Sequence, residues 1–280
     1  MAAEIAAPAR AQPDVRAGVP SGASFVAPRL KWALGLILPL TLALGWEAIV
    51  RLGLAEGRLM PPPSRIATTL YALAASGELW VHAWATLWRV AVGFALGAAS
   101  GIVFGALSGT AESARRLLDP TLQALRAIPS IAWVPLFILW FGIGESPKVL
   151  LVAIGTTFPI YVNTYAAIRG VDAKLVEAGT TFGLDRRGLV RRVVLPGAVP
   201  GFLVGLRFAL TGSWLIMIVA EQINARSGLG FLINEARSWY RTDIIVMGLA
   251  VYGLVGLTAD ALVRWLERTL LAWRRGFVGT

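Results

Sequence analysis

The 280-residue chain has no cysteine, a single histidine and few charges, and each shortage removes a class of function. Without cysteine there are no disulfides, no thiolate metal sites and no cysteine nucleophile. The one histidine, His82, falls in a connection between apolar segments, where a lone imidazole reads as an interfacial surface residue and not as a ligand. Charged residues make up 15% of the sequence, against roughly 25% in an average soluble domain, so a shell suited to water is missing. No Gly-x4-Gly-Lys-Ser/Thr run and no Gly-x-Ser-x-Gly run occurs. The chain therefore has no phosphate loop for ATP and no hydrolase nucleophile elbow. Nor does it hold paired carboxylates, metal-spaced ligands or a nucleophile constellation. The expectation is a non-enzyme that binds no metal or cofactor, with any energy from nucleotide arriving through a partner.

What is abundant is apolar: 56% of residues, with a mean hydropathy of +0.68. Six stretches, near 32–50, 87–109, 128–144, 148–168, 196–221 and 244–265, are of the length needed to cross a hydrocarbon core, about 17 to 25 residues. The reading is an all-α integral membrane protein with six transmembrane helices. With the N-terminus inside, the cytoplasmic connections carry roughly twice as many Lys and Arg as the outer ones, the asymmetry that sets topology. Both termini are then cytoplasmic. The formal charge of +10 reads as this topology plus contact with anionic lipid, and not as a nucleic-acid surface, because the basic residues form no single soluble patch. Residues 1–30, rich in Ala, Pro, Gly and Arg without an apolar period, read as a disordered cytoplasmic tail. Residues 31–280 form the membrane domain.

Within that domain Glu47 lies near the outer end of the first span. Leu59-Met60-Pro61-Pro62-Pro63 is a stiff turn, and Ser64 is placed to cap an amphipathic helix reaching Ala75. Trp80, Trp84 and Trp88 suit an interface. Gly93, Gly97, Gly101, Gly105 and Gly109 recur every four residues, a bare helix face that another backbone can approach, and Gly197, Gly201 and Gly205 repeat the pattern. That face fits either sliding contacts of a transporter or static packing. Pro135, Pro159 and Pro200 are expected to kink or open their spans.

Glu177-Ala178-Gly179-Thr180-Thr181-Phe182-Gly183, followed after nine residues by Val193-Val194-Leu195-Pro196, is a polar, Arg-studded loop at about 170–195 between two spans. Ala178 and Gly179 offer a small exposed face, Gly183 suits a left-handed helix end, and Pro196 suits the start of the next helix. The spacing resembles the loop shared by membrane subunits of ABC importers, apart from Gly179 and Val193, where that loop usually has Ala and often Ile. Leu125-Arg126-Ala127-Ile128-Pro129, Trp133-Val134-Pro135-Leu136, Phe158-Pro159-Ile160-Tyr161-Val162-Asn163, Ala220-Glu221-Gln222 and Ser227-Gly228-Leu229-Gly230 extend the likeness over residues 40 to 275 to the aliphatic sulfonate, taurine and nitrate permeases, the sulfonate permeases most of all.

The resemblance implies a type I ABC importer (MetI-like) permease fold in a bacterial inner membrane, working as a homodimer. It implies two cytoplasmic ABC ATPase subunits, which hold ATP-Mg, and a periplasmic or lipid-anchored solute-binding protein. The ATPases would dock on Glu177, Ala178, Gly179, Phe182, Gly183, Leu195 and Pro196. The solute would be a small organic anion, an aliphatic sulfonate first, with taurine or nitrate/bicarbonate as alternatives.

Polar groups at bilayer depth each need a partner or a cavity. Arg207 is either an electropositive point on an anion path or a structural partner of Asp260 at similar depth, the second reading being favoured because a fixed unpaired charge would trap an anion. Glu221 is expected at an outer gate or at the contact with a delivering protein. Trp133, Trp140, Thr156, Thr157, Asn163, Trp214 and Met217 are candidates for lining the path. Two rival classes remain. An ion-coupled secondary transporter should show inverted repeats and acid relays, and a membrane enzyme needs a reactive constellation.

Overall fold

The computed structural model describes residues 28–271, and among them every regular element is helical. The expected tail lies, up to residue 27, outside the described residues. Two units are distinguished. The first, ending at Trp46, contains most of helix α1 (Pro28–Arg51), which covers the expected first span.

The second unit, from Glu47, contains α2 (Pro63–Ala75), α3 (Glu78–Thr110), α4 (Glu112–Arg126), α5 (Val134–Phe141), α6 (Glu145–Arg169), α7 (Ala173–Thr181), α8 (Arg186–Leu189), α9 (Leu195–Asn224), α10 (Leu229–Ser238) and α11 (Thr242–Leu270). Among the described residues, four stretches are long and apolar enough to cross a membrane unaided: α3, α6, the run Arg186–Ile223 and α11. Ser64 does not cap α2. Pro62 holds that position with Pro63 opening the helix, and Ser64 instead turns to Glu47, whose carboxylate accepts from the Ser64 amide at 3.0 Å and the hydroxyl at 2.7 Å. Glu47 therefore serves as the anion at the α2 N-terminus.

The glycine stripe settles how the long helices run. A Cβ at Gly93 would meet Val149 and Val152, one at Gly101 would meet Thr157 and Ile160, and one at Gly109 would meet Ile168, all within 3.0 Å at the nearest atoms. Positions rise together along both chains, so α3 and α6 are parallel with backbones nearly touching. Gly197, Gly201 and Gly205 face Val171, Ala167 and Asn163 in turn, so α9 runs antiparallel to α6. Trp214 packs edge-on to Tyr252 with ring centroids 6.4 Å apart, and Arg207 reaches Asp260, so α11 is antiparallel to α9.

Parallel neighbours α3 and α6 require the chain between them to return through the layer they span. The expected third span, 128–144, is not one straight helix. A single 3-10 turn, Ser130–Trp133, leads into α5, and together they make an 87° angle with α4. Pro129 biases Ile128 away from helix, Pro135 opens α5 in its first turn, where a missing N–H costs nothing, and Gly142, at φ 72°, ends α5 after eight residues. Eight residues rise about 12 Å, less than half of a hydrocarbon core of about 30 Å. The return is therefore made in two bent pieces, which counted as one span would bring the described residues of unit two to five crossings.

Candidate functional site

The loop after α6 is a folded unit fixed at both ends. Asp172 caps α7 by accepting from the Lys174 amide at 2.9 Å. At the other end Gly183, at φ 79°, donates to Thr180 O at 2.9 Å, and Leu184 donates to Gly179 O at 3.0 Å. That pair of bonds is a Schellman stop, which glycine adopts without the Cβ penalty of a left-handed residue. Asp185 then caps the one-turn α8 through Gly188 N at 2.8 Å. A π-helical stretch, Val190–Val194, leads into α9 with Pro196 in its first turn.

The expected small face divides in two. Ala178 and Glu177 are exposed, but Gly179 is buried: a Cβ there would come within 2.9 Å of Leu189 and 3.4 Å of Leu184 and Val193. The close approach that Gly179 permits is made by this chain's own α8, so a large residue there would break the loop rather than block its surface. Phe182, in contrast, which directly follows α7, is 87% exposed, and Leu175, Leu195 and Pro196 are also exposed.

The candidates for a pathway separate by environment. Thr156 is fully buried, its hydroxyl returned to Val152 O and Ala153 O, and Met217 is likewise inaccessible. Thr157 bonds Ser100 at 2.7 Å, and Asn163 bonds Pro159 O at 2.8 Å. Trp133 stacks on Phe137, while Trp140 lies on the exposed face of α5. Arg207 and Trp214 are brought together on a cavity of about 620 Å³ between α9 and α11 that Asp260 and Tyr252 also line. Arg207 Nε donates to Asp260 Oδ1 at 2.8 Å.

Residues 101–271 match the family described as binding-protein-dependent transport system inner membrane component. The chain belongs to that family. It is 43% identical over 253 residues to a protein of Escherichia coli K12 named as an aliphatic sulfonates transport permease, covering 89% of this chain and 96% of the relative. A Bacillus subtilis protein of the same designation is 41% identical over 251 residues, covering 90% and 91%. An inward-facing structure of the MetNI methionine ABC transporter superposes with a TM-score of 0.61 at 19% identity, over 69% of this chain and 97% of that one, a likeness of fold. The chain is thus a multi-pass transport subunit of the ABC class with the all-helical permease fold.

The permease also has a buried ionic knot that the sequence reading missed. Arg89, 2% exposed, uses its whole guanidinium: Nε and Nη2 donate to Glu145, Nη1 donates to Glu221 at 2.7 Å and to Ser227 O at 2.6 Å, and Nη2 reaches Ser227 Oγ at 3.0 Å. Glu221 is also buried and accepts from the Thr86 hydroxyl at 2.9 Å and the Gly230 amide at 2.8 Å. A Cβ at Gly228 would sit 2.3 Å from Glu221 Oε1. His82, expected at the surface, is 8% exposed and accepts from the Gly228 amide through Nδ1 at 3.0 Å. It is buried because it lies on the α3 face that also carries Thr86, Arg89 and the glycines. Glu221 faces this knot and no open surface.

Proposed function

We propose that this permease imports a small organic anion, an aliphatic sulfonate first, as a homodimer driven by two ATPase subunits bound at the α7 loops. Its loops and both termini face the cytoplasm of a bacterial inner membrane. A solute-binding protein, periplasmic or lipid-anchored, delivers the anion on the other side. ATP-driven closure of the ATPases draws the docked loops together and rocks the spans between inward-open and outward-open. The observation that carries the docking part is Phe182, an 87% exposed aromatic at the C-terminal cap of a short helix fixed at both ends. A large apolar side chain held out on a rigid mount suits a groove on another protein, and it has no use in water. The sulfonate assignment rests on similarity to permeases of that designation across nearly the whole chain.

Reconstituted alone in vesicles, the chain should take up nothing. With its ATPase, the binding protein and ATP-Mg it should accumulate an alkanesulfonate, and competition with taurine and nitrate ranks the solutes. Uptake by the chain alone along an ion gradient would instead establish a secondary transporter.

Phe182→Ala should leave insertion and thermal melting unchanged while weakening ATPase retention. Truncating an aromatic anchor at an interface costs about 2 kcal/mol or more, roughly 30-fold in affinity. Co-purification of the ATPase through an affinity tag on the permease measures it, and a wild-type yield would move the docking surface elsewhere on the loop.

A further inference from the structure

The cavity between α9 and α11 has an unbalanced head. Asp260 accepts from Arg207 Nε at 2.8 Å and is also bonded by Arg264 Nη1, one turn further along α11. Two guanidiniums share one carboxylate, which leaves this cluster with one net positive charge. Arg207 spends only Nε on the pair. Among the described residues its two terminal nitrogens have no acceptor, and its side chain is 45% exposed. Arg207 is eleven residues beyond Pro196, about 16 Å along the helix and inside the apolar run of that span.

A charge placed there is expensive unless something answers it. Most of the remaining lining is apolar, with Leu215, Leu249 and Leu257 among its walls. A guanidinium with two nitrogens free of acceptors, lining a mostly apolar cavity, matches an oxyanion head carrying a hydrocarbon tail. One uncompensated charge matches a monoanion, while a dianion would leave the cluster with net negative charge in a poorly solvating site. The geometry points to this cavity as a binding site for monovalent organic anions of the alkanesulfonate kind, with Arg207 as the binding group, Asp260 as its positioning residue and Arg264 as the source of the spare charge. The assignment rests on the anion-importer reading and adds a place and a charge preference to it.

The test uses the permease–ATPase complex in phosphatidylcholine nanodiscs without binding protein. Ligand-observed NMR is recorded with hexanesulfonate, hexyl phosphate at pH 8 and hexanol. Hexanesulfonate should bind ahead of both others. Arg207→Gln should weaken it at least about tenfold, as expected for losing a charged hydrogen-bond donor, and Arg207→Lys should lose less. Arg264→Gln keeps the Arg207–Asp260 pair but cancels the spare charge, so it too should weaken hexanesulfonate while leaving hexanol unchanged. It also serves as the decisive variant if Arg207→Gln does not retain its ATPase or melt like wild type.

Equal binding of hexanesulfonate and hexanol, preference for hexyl phosphate, or wild-type binding by folded Arg207→Gln or Arg264→Gln would overturn the site. Vesicle uptake with all partners separates this from the broader reading. Sulfonate uptake with no Arg207-dependent binding defeats the site alone, whereas Arg207-dependent binding without sulfonate uptake keeps the site and defeats the solute assignment.

Discussion

Arg89→Ala should be the most damaging single change in the protein, with a loss of about 3–5 kcal/mol, the usual cost of removing one partner from a buried ion pair. The side chains of Arg89 and Glu221 are 2% and 0% exposed, so water cannot replace the lost guanidinium. Its removal strips Glu221 and Glu145 of their shared cation and frees Ser227 O, which loosens the contacts among α3, α6, α9 and the loop before α10. Arg89→Lys should recover only part, because an ammonium cannot reproduce the five-donor fork. Thermal melting in detergent measures both variants. A double-mutant cycle of Arg89→Met with Glu221→Met should give a coupling well above about 1 kcal/mol. Melting of Arg89→Ala within a degree or so of wild type would show that the knot contributes specificity of fold and little stability.

This knot also marks where sequence reasoning stopped. The spans were legible because apolar length is a property of a single segment, and the loop because its Gly183 stop, Pro196 start and spacing are local. The Arg89 partners lie 56, 132 and 138 residues away, and pattern within one helix carries no information about them. A signal was present nonetheless. Thr86 and Arg89 fall on the same face as Gly93 and Gly97 at three- and four-residue steps, and that continuation of the buried stripe places His82, Thr86 and Arg89 inside. The bent return through α4 and α5 escaped for a different reason. Residues 128–144 are apolar enough for a span, and Pro135 was legible as a place where it opens, but the parallel packing of α3 on α6 is what shows that the chain must return there, and Pro129 and Gly142 keep it from being one straight helix. Gly179 was legible as a close-approach residue, but which surface approaches it depends on α8 folding back.

The same stripe separates packing from passage at Thr156, a path candidate by composition. A Cβ added at Gly97 would lie 1.8 Å from Thr156 Oγ1 and 2.5 Å from Ala153 O, the tightest place along the α3–α6 contact. Gly97→Ala should therefore force the two helices apart and cost about 1–3 kcal/mol, as overpacking does, and Gly97→Leu should cost more. Thr156→Ala removes the nearer obstacle but not the backbone carbonyl, so it should rescue Gly97→Ala in part and not in full. In the wild-type background Thr156→Ala should be mild, because its hydroxyl only returns to Val152 O and Ala153 O within α6, groups that already accept helix bonds. Melting and uptake of the four proteins in this cycle give the answer. If Thr156 serves packing, Thr156→Ala transports normally and the two sites couple in stability. If it lines the path, Thr156→Ala loses uptake at unchanged melting temperature, and the static contact between α3 and α6 must then open during the transport cycle.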